Sequence, residues 1–72
     1  MFYTLVHHDA NGQIKTYRVN VTLVAFYSTA GDAAGGPVAV EIGFSGGTVL
    51  SLVVEQRDFD HFRSVVDPDA MG

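Results

Sequence analysis

The run Val19-Asn20-Val21-Thr22-Leu23-Val24-Ala25-Phe26-Tyr27 constrains this chain more than any other segment. It starts one-faced. Odd positions Val19, Val21, Leu23, Ala25 and Tyr27 form an apolar row, while Asn20 and Thr22 between them are polar. At Val24 and Phe26 the even positions turn apolar too. Successive side chains of a strand point to opposite sides of its sheet, so the second half of the run requires cover on both sides. A chain of 72 residues has little material for two covers. A domain this small buries only about 60% of the surface its unfolded chain exposes, and small domains commonly add disulfides, a metal or self-association. Cysteine is absent, which removes disulfides and thiolate metal sites. Self-association is the expected remedy. A mean hydropathy of +0.21 with 17% charged residues points the same way, because a lone domain of this size needs a more polar surface.

Around that run the pattern predicts a single α+β domain over residues 1–72: a four-stranded, mainly antiparallel sheet made of two hairpins, with one C-terminal helix on one face. The first strand spans about 2–8 and the second about 14–27, joined by Asp9-Ala10-Asn11-Gly12-Gln13, whose Asn-Gly pair tolerates the positive φ of tight turns. The third, about 38–44, directs Val38, Val40, Ile42 and Phe44 inward. A Ser45-Gly46-Gly47-Thr48 hairpin leads to the fourth, about 48–54, which buries Leu50, Leu52 and Val54. From Glu55 the period becomes helical, with Phe59, Phe62 and Val66 on one stripe over about 56–66. No Ser, Thr, Asp or Asn stands at the expected N-cap before that helix. Asp67-Pro68 ends it, and 67–72 is expected as a loose tail. One helix covers much of one sheet face and not both. Val24, Phe26, Val49 and Val53 are the expected residues of the open face, to be covered by a second subunit.

Charge excludes some function classes. The formal net charge is −4, and the basic residues are only Lys15, Arg18, Arg57 and Arg63, too few and too scattered to track a phosphate backbone. Nucleic-acid binding is therefore not expected. Neither is membrane insertion: Val19–Tyr27 falls far short of the ~20 residues of a spanning helix, and the N-terminus lacks a basic signal-peptide region. The chain reads as a complete cytoplasmic protein starting at Met1.

Chemistry-bearing patterns are weak. His7 and His8 are adjacent in a strand, so they face opposite ways and do not readily share one ion, even with His61 nearby. No metal and no cofactor are expected. Gly31-Asp32-Ala33-Ala34-Gly35-Gly36-Pro37 offers backbone amides to a phosphate, but it lacks the P-loop lysine, joins two strands, and carries Asp32, which repels anions. Ser28, Ser45, Ser51 and Ser64 have no nucleophile-elbow context, and Asp58 with His61 at i, i+3 is an exposed electrostatic pair. No catalytic residue is assigned.

Two functions are consistent with this sequence. The first is a non-enzymatic, homo-oligomeric module that binds or inhibits a macromolecular partner, in the manner of small phage and mobile-element accessory proteins (an analogy of size alone). The second is a protein that binds or sequesters a nucleotide or metabolite at a subunit junction, where two copies supply a concavity that one copy cannot. For either, the contact residues expected are Tyr27, Gly31, Asp32, Gly35, Gly36, Arg18 and Arg57.

Overall fold

The computed structural model describes residues 1–30 and 36–71. Among the described residues the fold is α+β and antiparallel, with one C-terminal α-helix, but it has five strands in two sheets rather than four in one. Strands β1 (Phe2–His8) and β2 (Ile14–Asn20) form a two-stranded sheet, with Leu5 opposite Tyr17 and Tyr3 opposite Val19. Strands β3 (Val24–Ala30), β4 (Val38–Phe44) and β5 (Val49–Val54) form the other, with β4 in the middle. Helix α1 (Gln56–Val66) follows directly.

The expected long strand over 14–27 is the main correction. A 3-10 turn, Val21–Leu23, divides it into β2 and β3. Asn20 caps that turn by accepting a hydrogen bond from the Thr22 amide at 3.2 Å, and Val21 N–H donates to Met1 O at 2.9 Å. The turn matters because it breaks the parity of side chains. Val19 faces the core in β2, and after the corner it is Val24 that packs against the core. A bulge at Ala25, between the pairs Val24–Phe44 and Phe26–Gly43, restores the odd phase, so Tyr27 points in and Phe26 points out. A strand that changes sheets through a bend and a bulge thus satisfies a run with apolar residues on both parities.

The hairpins keep their sequence-predicted places. In the first, Asp9 Oδ1 accepts from Asn11 N–H at 2.8 Å and Gln13 N–H at 2.9 Å, and Gly12 takes a φ of 82° that disfavours any other residue. In the second, Gly47 takes a φ of 93°. Ser45 then reaches across to the corner: its amide and its hydroxyl both donate to Leu23 O, at 2.9 and 3.0 Å. The fourth predicted strand begins at Val49 rather than 48, and the expected loose tail contains a short 3-10 helix, Pro68–Met71, because Pro68 suits the first position of a helical turn.

One core serves both sheets and the helix. Leu5 and Val19 come from the two-stranded sheet, Val38, Val40, Ile42, Leu52 and Val54 from the three-stranded one, and Phe59 and Phe62 from α1. Phe62 is its centre, with Tyr3 of β1 and Tyr27 of β3 meeting its ring edge-on at 5.8 and 6.2 Å. An 11-residue helix is marginal alone. Docking of Phe59 and Phe62 holds it, since Glu55 at its N-cap makes no side-chain capping bond.

Candidate functional site

Cross-strand pairing sorts the side chains of the three-stranded sheet. The inner face carries Tyr27, Ile42 and Leu50, and at its far end Val38 and Val54. The outer face is built of three rows. Phe26, Gly43 and Val49 form one, Ser28, Glu41 and Ser51 the next, and Ala30, Ala39 and Val53 the third. Phe26 is 48% exposed and Val49 51% exposed. The Phe26 ring lies across Gly43 so closely that a Cβ there would stand 1.9 Å from ring carbon Cε2. Glycine at 43 is therefore a packing requirement, and half of Phe26 is already used to cover it.

Over the second and third rows the face forms a groove of about 370 Å³, lined by Ser28, Glu41, Ser51, Ala30, Val53 and His7 among others. His7 enters from β1. Its Nδ1 accepts a hydrogen bond from the Val53 amide at 2.9 Å, joining the two sheets at the β5 edge. An accepting Nδ1 fixes the neutral ring as the Nε2–H tautomer. Tyr17 packs edge-on against the other side of that ring at 6.3 Å. Glu41, midway along the central strand, is the only charged residue among the nine that make up the three rows. Sequence reasoning missed this groove. Small residues at 28, 30, 39 and 51 create it, and their shared face becomes visible only once register is known.

A second hollow, of about 450 Å³, lies at the start of α1 between Gly36, Pro37, Glu55, Gln56, Arg57 and Asp60. Arg57 and Gly36, two of the expected contact residues, meet there. Gln56 Nε2 donates to Asp60 Oδ1 at 2.9 Å, and Arg63 approaches the same oxygen at 3.8 Å.

The other expected contacts are dispersed. Tyr27 is half-buried against the core: its ring packs on Phe59 at 5.9 Å, and its hydroxyl donates to Asp67 Oδ2 at 2.9 Å. Burial first, and the hydrogen bond and charge of Asp67 second, raise this phenol above its ordinary pKa. Tyr3 is raised as well, by burial and then by the Asp58 carboxylate. Arg18 sits on the two-stranded sheet with its guanidinium 5.8 Å from the centre of the Phe2 ring. Gly31, Asp32 and Gly35 lie outside the described residues. Of the four open-face residues, Phe26, Val49 and Val53 share the outer face; Val24 lies on the inner side against the core, because the bulge follows it.

The histidines do not converge. His7 and His8 point to opposite sides of β1, and His61 is on the exposed face of α1. Among the described residues, no group of three or more His, Asp or Glu side chains is placed to hold a metal ion. His8 Nε2 is buried without a hydrogen-bond partner among them. No described helix is long and apolar enough to cross a membrane.

Comparison of this chain with protein-family models, with curated proteins and with solved structures returns no match.

Proposed function

We propose that this chain is a non-enzymatic protein-interaction module that associates with copies of itself through its three-stranded sheet and meets a macromolecular partner on the same side of the fold. One observation carries the reading. Strand β3 comes from the most hydrophobic run of the sequence, yet none of its seven residues is fully buried, whereas four of the seven in β4 are. Phe26 and Val49, large and half exposed, sit one strand apart on the adjoining face. Of the two, Phe26 stands on the terminal strand and gains from a second surface along that edge, by up to roughly 1.5–3 kcal/mol if fully removed from water. Mass in solution, measured by light scattering over a concentration series, tests the reading. A mass that rises with concentration, and that returns to the monomer in Phe26→Asp with an unchanged circular dichroism spectrum, supports it. A wild-type chain that stays monomeric up to millimolar concentration sinks it.

A second reading is favoured by the groove at His7. Glu41, between the hydroxyl-bearing Ser28 and Ser51 with Ala30 and Val53 as apolar walls, suits a small organic cation and repels a nucleotide. A thermal-shift series with polyamines and quaternary amines tests it. Specific binding raises the melting temperature in the wild type and not in Glu41→Gln.

A further inference from the structure

We propose that β3 pairs with the β3 of a second copy, antiparallel and edge to edge about a two-fold axis near Ser28, so that two three-stranded sheets become one of six strands. This rests on the self-association reading above and adds the geometry. Three observations select it.

The first is the edge itself. β3 is the terminal strand of its sheet, and among the described residues no element hydrogen-bonds to its outer side along Ala25–Ala30. Proteins block such edges with lysine, proline or inward-pointing charge. The other terminal strand of this sheet, β5, is uncharged as well, but its edge is met by β1, where His7 Nδ1 accepts from the Val53 amide at 2.9 Å. The outer strand of the two-stranded sheet, β2, carries Lys15 and Arg18, whereas β3, with the sequence Val-Ala-Phe-Tyr-Ser-Thr-Ala, carries no charge and no proline.

The second is electrostatic. A two-fold dimer packed face to face through the outer surface brings two copies of Glu41 within ~10 Å of each other, the usual spacing of stacked sheets, in an interface that excludes water. No lysine or arginine stands in the three rows to neutralise them. Edge pairing leaves three strand spacings between the same carboxylates, ~14 Å, on a face that remains in water. That exceeds the Debye length of about 8 Å at physiological ionic strength. Repulsion opposes the first arrangement and leaves the second untouched.

The third is shape. The bulge at Ala25 ends the regular part of β3, leaving Phe26–Ala30 as the pairing stretch. Its antiparallel self-pairing sets Phe26 opposite the partner copy's residue 30, an alanine, and because the Phe26 ring is turned inward over Gly43 no bulky side chain obstructs the approaching strand. Residue 28 meets its own copy. Two short edges bury less than the ~800 Å² per partner of a standard interface, so the dimer is weak and concentration-dependent.

The absence of cysteine makes the test direct. A single Ser51→Cys, placed on the exposed outer face of β5, takes a nitroxide label, and the label-to-label distance is read by pulsed electron paramagnetic resonance at high protein concentration. Edge pairing separates the two positions by five strand spacings, ~24 Å before the label's own reach. Face-to-face packing brings them to ~10 Å, where the labels broaden each other's spectra. Ser28→Lys, which sets like charges opposite each other, is expected to weaken the dimer at least tenfold, while Val49→Lys leaves it unchanged; circular dichroism confirms that both are folded. A short distance, or loss of the dimer in Val49→Lys with retention in Ser28→Lys, overturns edge pairing and leaves self-association standing. A wild-type chain that is monomeric at every concentration overturns both.

Discussion

The two outward edges of this molecule, β2 and β3, are consecutive in the chain and opposite in character. β2 is dressed in charge: Lys15 lies 5.3 Å from the centre of the Tyr17 ring and Arg18 lies over Phe2, so each cation also covers an aromatic surface. β3 has Phe26 lying over Gly43 and no charge at all. The difference shows how a small domain with few charged residues can distribute them. Charge is concentrated on one edge, and the other carries none. The two edges nevertheless belong to one folding unit, because α1 inserts Phe62 between Tyr3 on one sheet and Tyr27 on the other.

The largest effect is expected where that comparison breaks down, at the shared ring. Phe62→Ala removes a fully buried side chain and is expected to cost ~3–5 kcal/mol, a large part of the roughly 4–10 kcal/mol a domain of this size commands. Both sheets then lose amide protection together in hydrogen exchange; loss from one sheet alone would mean that the core is not shared. Next is Gly43→Ala, on the β3 side only. The new methyl group collides with the Phe26 ring, and a cost of ~1–3 kcal/mol in a denaturant titration is expected. Gly43→Ala with Phe26→Ala together should cost less than the sum of the two alone, and simple additivity would show that the ring does not occupy this place.

Tyr27→Phe comes third, at ~1–2 kcal/mol for the bond to Asp67. Its pH dependence has a definite sign. The folded phenol is raised above the ordinary value, so as pH climbs the unfolded chain releases its proton first. The contribution of Tyr27 is complete below about pH 10 and is lost as pH rises through the folded value. Thermal melts should therefore show wild-type stability falling at alkaline pH more steeply than in Tyr27→Phe, and parallel curves would rule the bond out. The smallest effect on stability sharpens the comparison most. Lys15→Thr with Arg18→Thr replaces exposed residues and should change the unfolding free energy by no more than about 0.5 kcal/mol. It strips β2 of its charge, and the mass in solution is expected to rise above that of the wild type at equal concentration. An unchanged mass would show that the two cations do not guard the edge.

Local chemistry made the elements legible. The strands at 2–8 and 38–44, both hairpins and the helix at 56–66 could be read because alternation, paired glycines and a 3.6-residue stripe are short-range signals. The corner at Val21–Leu23 escaped for an equally local reason. β-branched residues on both sides of Asn20 read as continuous strand, and the one contrary signal is Asn20 itself, a poor strand residue whose side chain competes for nearby amides. Missing it joined β2 to β3 and merged two sheets into one. The open-face residues were partly legible, since Phe26, Val49 and Val53 stand at outward parities of their strands. Val24 was misplaced because the bulge at Ala25 shifts parity by one position and has no mark in the sequence.

The sequence by itself determined the class: a cysteine-free α+β chain with antiparallel hairpins, one amphipathic helix, and more apolar surface than a single small sheet can hide. Tertiary structure alone decided where that surface lies. Tyr27 was packed against the core, Arg18 and Arg57 were set apart, and His7 was brought to the Val53 amide, 46 positions along the chain. Propensity and periodicity act over a few residues, within reach of one turn of backbone. Which face is buried, which edge stays unpaired and which side chains line a groove depend on strand register and sheet order, and those are set by contacts between residues far apart in the chain.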